Sequence, residues 1–552
     1  MITQLRLKTA SSLGQPPLVV EPPPVTIFVG PNNSGKSQLL REIFNFCSQP
    51  VNAPPALILD ALIFARMSPE AAQADLDVTK ATPTPSEPAP PEGYFRIEHG
   101  RVSHPVLASQ YIECLQQPNT HRVQFTSWYL SRFTVNLDGP GRIALVNPSE
   151  RGDLKRPKLP LAQLLTNDDK RSALRKAIHD AIGLYFAIDA SNGNLLQIRF
   201  GSTPPTDERS YKDVTLDYMR AARGIDAVSD GVKAYTGILV QLYAGDPKVI
   251  IIDEPEAFLH PSLASKLGKE ISAMAAAEGK KVFAATHSPE FVMGAVLSNT
   301  PVNIIRLTYE NDVGTARLLP SAELVKLMQD PLLRSVGVLA GLFYNGVVVT
   351  EADADRSFYR EINERLLAAG DSRGIPHVLF LNADNVQTIA RIVQPLRKLG
   401  IPCAAAVDID IIGNGGQEWT RHLEACNVPA LEHQAFSDWR SKVFESLKSK
   451  GDFKTCGGTK LLSGPDHEAA ENLFDDLARY GLFVVRRGEL EAWLSNLDVP
   501  RSKNSWLRSI FERMGADPSS SNYVRPAAGD VWDFMGEVGK WLADSNRHGI
   551  PK

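Results

Sequence analysis

The chain has 552 residues, 43% hydrophobic and 22% charged, which excludes global disorder and, at roughly 150 residues per domain, suggests three or four structural units. Lys and Arg number 59 against 63 Asp and Glu, a formal charge of −4, which excludes a uniformly basic nucleic-acid coat but not a local basic patch. Scattered cysteines without a CxxC pair, no apolar run of the roughly 18 residues that span a bilayer, and a start (MITQLRLKTASS) lacking a secretory core lead us to expect a soluble, cytoplasmic protein without a membrane partner.

In chain order, an apolar strand at 25–29 runs into Gly30-x4-Gly35-Lys36-Ser37 and then a helical pattern, QLLREIFNF. Glycines let backbone N–H groups curl around phosphate oxygens, a lysine supplies a point charge, and a serine can hold Mg²⁺. Gly30, Asn32, Asn33, Ser34, Gly35, Lys36 and Ser37 therefore read as a nucleoside-triphosphate loop. A long interruption, about 38–225, follows, and its Pro-rich stretch KATPTPSEPAPPEG (80–93) reads as an exposed linker. KVIIIDEPE (248–256) is a buried strand delivering Asp253, positioned to order Mg²⁺, and Glu254, positioned to polarise an attacking water. KVFAATHSPEF (281–291) repeats the design with His287 at the strand end.

A helical pattern at 321–343 leads into GVVVT (346–350), after which strands and helices alternate through HVLFLN and IPCAAAVDID, the mark of a parallel sheet wrapped by helices. Glu351 follows the first of these strands, and Asp353 and Asp355 open the next helix. Asp408 and Asp410 stand two apart, so strand alternation is expected to put both on one face. Carboxylates at the C-terminal ends of parallel strands sit where such sheets bind ligands, and all-oxygen ligands suit Mg²⁺ or Mn²⁺. Asp353 or Asp355 is equally explained as a helix cap, whereas an unpaired Asp408–Asp410 pair beside a buried strand is costly without a cation.

The nucleotide motifs resemble those of ATP-binding-cassette ATPases of the SMC-like branch. AVSDGVKAY (227–235) resembles a degenerate signature motif, with Ser229, Gly231 and Lys233, and with Asp230 where the family has its second glycine. The resemblance implies ATP as ligand, heads paired so that Ser229 and Gly231 of one copy cap the nucleotide of another, an interface loop at EPEAFLHP (254–261), and His287 as γ-phosphate sensor. No glutamine loop is placed: Gln73, Gln110 and Gln124 all fall in the interruption without a supporting context.

The strand-Glu followed by Asp-x-Asp resembles the Toprim domain. An ATPase head followed by Toprim resembles the overcoming-lysogenisation-defect (OLD) family of ATP-dependent nucleases, which includes the Gabija defence nuclease. That resemblance makes Glu351, Asp355, Asp408 and Asp410 metal ligands and adds, from FVVRRGELEAWL (483–494), Glu491 for a second metal, with Glu489 its neighbouring alternative. The expectation is an α/β chain: an ABC-type ATPase domain over 1–325 with a helical insertion or dimerisation region within about 60–220, a linker helix over 326–345, and a Toprim nuclease domain over 346–552. Its expected function is ATP-regulated cleavage of nucleic acid, DNA ahead of RNA, in anti-phage defence, as a homodimer or larger homo-oligomer with a defence partner protein. The rival is an SMC-like ATPase sensor that binds without cutting. Arg440, Lys442, Lys448, Lys450, Lys454 and Lys460 read equally as a solvated helix face or a phosphate-contacting strip, and Trp506, Trp532 and Trp541 as core.

Overall fold

The computed structural model describes residues 1–552 apart from 13, 50–53, 81–88, 100–101, 156, 311, 503–504 and 551–552. The centre of the Pro-rich stretch at 80–93 thus lies outside the described residues. The chain divides into two compact units, Met1–Ser321 and Ala322–Lys552.

The first unit is built on a six-stranded sheet in the order β15-β14-β3-β13-β12-β7. Its strands are β3 (Val25–Val29), β7 (Thr134–Leu137), β12 (Val249–Asp253), β13 (Lys281–Ala285), β14 (Val302–Glu310) and β15 (Val313–Leu319). All neighbours pair in parallel except β14 with β15. β3 is buried at every position, as expected of a strand covered on both faces. Beside this sheet, β1 (Ile2–Ala10) pairs antiparallel with β2 (Pro17–Val20) and β4 (Leu59–Phe64).

The interruption is mixed rather than helical throughout: beside helices such as Pro69–Thr79, Ala108–Gln116 and Asp168–Ile182 it also carries strands. It contributes β7, which completes the core sheet alongside β12, a hairpin of β5 (Tyr94–His99) and β6 (Val102–Leu107), and an antiparallel sheet. There β8 (Ser149–Glu150), β9 (Tyr185–Asn192) and β11 (Arg223–Gly224) all pair with β10 (Leu195–Gly201). The physical reason is local: Gly193-Asn194 makes a two-residue turn, Gly193 at φ +58°, between Asn192 and its partner Leu195, a hairpin signal.

The second unit holds a four-stranded parallel sheet in the order β17-β16-β18-β19: β16 (Gly346–Thr350), β17 (Val378–Asn382), β18 (Cys403–Asp408) and β19 (Leu482–Val485). Pairing of Thr350 with Ala406 brings the C-terminal ends of β16 and β18 side by side, and Asp408 pairs with Val485 at the end of β19. The linker helix expected over 326–345 is instead two helices, Ser321–Gln329 and Pro331–Val336, followed by a 3-10 turn, Val338–Phe343. Pro331 lacks an N–H to continue the first helix, and the Asp330 carboxylate accepts from Leu332 N at 3.0 Å to start the second. The segment packs within the second unit, where Asp330 pairs with Arg391 at 2.8 Å.

Trp506, Trp532 and Trp541 are buried in this unit's core, as read from the sequence. Arg397, fully buried, joins the C-terminal residues to the sheet. It donates to the carbonyls of Cys403 (2.8 Å), Cys426 (2.9 Å), Tyr480 (2.7 Å) and Gly549 (3.0 Å), beneath the Trp541 ring. Arg397→Met would leave these carbonyls without their donor, and removing one partner of a buried charged network is strongly destabilising. The expected loss is about 3 kcal/mol or more, read as a lower urea midpoint for the second unit.

Candidate functional site

The structure forms the phosphate loop between β3 and the helix Lys36–Ser48. Gly30 (φ +144°) lies so close to the Leu307 carbonyl that a Cβ would stand 2.0 Å from its oxygen. Gly35 (φ +92°) and Asn33 (φ +61°) are also left-handed, curling the loop back on itself. Asn32 and Asn33 are exposed, Ser34 is buried, and Lys36 is only 5% exposed. Lys36 Nζ donates to the carbonyls of Gly30 (2.9 Å) and Pro31 (2.7 Å) and to Ser34 Oγ (3.4 Å). Burial lowers its pKa to about 8 against the opposing pull of Asp253 and Glu254. Ser37 Oγ donates to Asp253 Oδ1 at 3.2 Å, so the two groups expected to share Mg²⁺ meet.

Glu254 is exposed and held at φ +50°, an uncommon conformation for a side-chain-bearing residue. Its N–H donates to Ala285 O at 2.8 Å, and its own carbonyl accepts from Arg142 at 2.5 Å. Arg142, 1% exposed, rises from the short helix Gly139–Ala144 just after β7. That helix follows the edge strand of the nucleotide sheet, in a stretch that carries no recognisable motif. Glu256 was missed as well. Its carboxylate accepts from Thr286 Oγ1 at 2.8 Å and from His287 N at 2.7 Å, clamping the β12 loop to the β13 loop, and burial raises its pKa. The pKa of His287 is lowered by burial and then by the Lys36 charge, which favours a neutral ring. Ser229 caps the helix Asp230–Tyr243, and Gly231 sits so tightly under the 254–261 loop that a Cβ would lie 2.7 Å from Phe258 O. Lys233 pairs with Asp230 at 3.0 Å.

In the second unit, oxygens of Glu351, Asp408 and Asp410 lie within 4.8 Å of one another. The Asp408 N–H donates to Glu351 Oε1 at 2.8 Å, tying the ends of β16 and β18. The expected one-face alternation of Asp408 and Asp410 is corrected: β18 ends at Asp408, and Asp410 lies in the 3-10 turn Ile409–Gly413. The turn, not the pleat, brings Asp410 back to the cluster. Asp355 caps the helix Asp353–Ala368 by accepting from Ala352 N at 2.9 Å, while Asp353 pairs outward with Arg356 at 2.7 Å. Burial, then the charge of Asp408, pushes Asp355 up to about 7. Burial also raises Glu351 and Asp408, with Asp408 and Asp410 respectively adding like charge. Glu491, in the turn Leu490–Ala492, adds like charge to both Asp355 and Asp408; Glu489 is buried.

Lys454 enters this cluster, its Nζ 3.0 Å from Asp408 Oδ2 and 2.5 Å from Asp410 Oδ2. Burial opposes its charge, but Asp408 and Asp410 outweigh burial and raise its pKa. The basic run is therefore not one strip. Lys442, Lys448, Lys450 and Lys460 are exposed, whereas Arg440 turns in to the Ile412 carbonyl and Lys454 to the carboxylates.

Residues 161–293 match the family model described as "AAA domain, putative AbiEii toxin, Type IV TA system". No curated protein matches the chain. Similar solved structures include the SMC head domain from Thermotoga maritima (14% identity, covering 58% of this chain and 99% of that one, TM-score 0.29). Another is the Smc head domain with an extended coiled coil bound to the C-terminal domain of ScpA from Pyrococcus furiosus (13% identity, 59% and 98% covered, TM-score 0.31). A third is the SmcHead bound to the C-winged helix domain of ScpA (14% identity, 59% and 99% covered, TM-score 0.33). Overlap at these scores is loose. The family model and the loop geometry together identify an ATPase domain in the first unit. Among the described residues, no helix is long and apolar enough to cross a membrane.

Lys36→Ala removes a charge-assisted contact to phosphate, worth about 1.5–3 kcal/mol. ATP affinity measured by calorimetry is expected to fall roughly 10- to 100-fold. For the acidic cluster, the sign follows from the raised carboxyls. The fold without metal is fully stable below the ordinary carboxylate range and loses that stability as pH rises through the raised values. At pH 8, metal-free Glu351→Gln should therefore melt a few degrees above the parent protein, the gap closing toward pH 5. A lower melting temperature at pH 8 would contradict the charge repulsion.

Proposed function

We propose that the chain is an ATP-regulated, divalent-metal-dependent phosphodiesterase of the OLD type, in which the second unit is a Toprim nuclease. The observation that carries this reading is the convergence of Glu351, Asp408 and Asp410 at the ends of two adjacent parallel strands, with the half-buried Asp355 near enough to feel the Asp408 charge. A binding-only surface gains nothing from such charge near phosphates.

The donor set fits a hard divalent cation. All donors are carboxylate oxygens, and a protein cation, the Lys454 ammonium, already lies between Asp408 and Asp410. Glu351, Asp408 and Asp410 would hold Mg²⁺ or Mn²⁺, with Asp355 and Glu491 serving a second ion. Such ions, when bound, supply a nucleophile at neutral pH and stabilise the attacking and leaving oxygens of a phosphodiester. This chain's part is to fix the oxygens in place: Asp408 N holds Glu351, and Ala352 N holds Asp355.

In the first unit, Gly30 to Ser37 would cradle the ATP phosphates, Asp253 and Ser37 order its Mg²⁺, Glu254 orient water, and His287 meet the γ-phosphate. Ser229 and Gly231 would complete the site of a second copy. Phe258, 57% exposed at φ +70° directly above Gly231, supports pairing at that loop. Nucleic acid, DNA before RNA, is the proposed substrate, and anti-phage defence with a partner protein the proposed setting.

The test is cleavage of plasmid DNA and transfer RNA with Mg²⁺ or Mn²⁺, with and without ATP, by the parent protein and Asp408→Ala. Losing one metal ligand is expected to lower cleavage by more than about a hundredfold while ATP turnover stays. Undiminished cutting by the variant would end the assignment, and a parent protein that binds but never cuts would be the sensor instead.

A further inference from the structure

Lys454 is not a surface lysine that happens to reach an acidic patch. Its segment is built to a fixed path against the turn that follows β19. Asp452 accepts from Thr455 N (3.3 Å) and Thr455 Oγ1 (2.7 Å), and Gly458 N donates to Phe453 O at 2.9 Å. Thr459 N donates to Arg486 O, also at 2.9 Å. Two glycines make the approach: a Cβ on Gly458 would stand 2.0 Å from Arg486 O, and one on Gly488 would stand 1.9 Å from Lys454 O. Both have positive φ, so a larger residue is excluded twice over. The same turn receives Ile409 N at Gly488 O, 2.8 Å away. One turn thus positions both the lysine and the residue between the two aspartates.

We propose that Lys454 is the resident cation of the acidic cluster in the metal-free protein, and that a divalent ion fills the site only by displacing its ammonium from Asp408 and Asp410. This rests on the metal-site reading above. The oxygens that hold the ammonium, Asp408 Oδ2 and Asp410 Oδ2, belong to the group that converges for a metal. An ammonium beside a divalent ion repels it, so both do not occupy those oxygens together. The exchange needs little motion: the backbone stays clamped while the four-carbon stem swings. Lys454 therefore sets the metal concentration at which the site fills. Because the energy of the ion's binding is reduced by that of the pair it breaks, deleting the ammonium tightens metal binding.

The test is Mn²⁺ binding to the full chain without nucleotide, followed by calorimetry and by the loss of free-Mn²⁺ paramagnetic signal. Asp408→Asn identifies which binding event belongs to the cluster. Lys454→Met should bind Mn²⁺ at that site at least tenfold more tightly than the parent. Lys454→Arg, which keeps the charge and guards against a folding artefact, should stay near the parent value. Equal or weaker binding by Lys454→Met would overturn the exchange and leave the metal site standing. Absence of any Asp408-dependent Mn²⁺ binding in every variant would overturn both.

Discussion

Carboxylates crowd the C-terminal ends of β16 and β18, and much of the second unit is arranged around keeping that charge in one place. Glu351 is tied by the Asp408 N–H, Asp355 by the Ala352 N–H, and Asp408 and Asp410 by Lys454. Beneath them the core is apolar and aromatic. Tyr359 lies fully buried, its hydroxyl accepting from Trp493 Nε1 at 3.1 Å, with Phe358 and Phe534 against it and Trp506 against Phe358. Water cannot screen the carboxylates from that side, which is why burial is the largest cause of their raised pKa values. A purely structural sheet end would carry amides or hydroxyls there. Perturbed, like-charged groups retained at a strand-end crevice point to a ligand.

The first unit solves the opposite problem. Lys36 is a buried cation whose hydrogen bonds go to the carbonyls of its own loop, with the carboxylates acting only from a distance. Burial lowers its pKa, while the neutral carbonyls leave its charge uncancelled and so able to exchange them for phosphate. The acidic groups stand one layer away: Asp253 on Ser37, Glu256 on Thr286 and His287. Arg142 closes the set by holding the carbonyl of strained Glu254.

The glycine-lysine-serine loop, the Asp253-Glu254 strand end and Glu351 were legible because each has chemistry and position on adjacent residues. β16 and β12 were legible because continuous apolar runs of five or so residues bounded by polar ones suit strands buried on both faces. Asp410 was placed by the wrong reason, since nothing in VDIDII announces that the strand stops at Asp408. Glu256 and Arg142 act through contacts to loops far away in sequence, and a single carboxylate or arginine carries no local signal for that. The β9–β10 hairpin did carry one, Gly193-Asn194, within a long segment read only as an interruption with a helical element. Lys454 was seen only as one charge among six in a basic run; its inward direction comes from Gly458 and Gly488, whose close approaches no sequence pattern records.

Both sites share a property that follows from these contacts. In each, a charged group that a ligand would use is already satisfied by the protein: Lys36 by loop carbonyls, Asp408 and Asp410 by Lys454. Ligand binding is then an exchange of partners rather than the filling of an open pocket, and its free energy is a difference between two sets of contacts. Affinity under such an arrangement is lower than the ligand contacts alone would give, while the unliganded chain is spared an unpaired buried charge. A chain whose proposed activity would damage nucleic acid benefits from that trade, because the threshold for ligand is written into the resting fold itself.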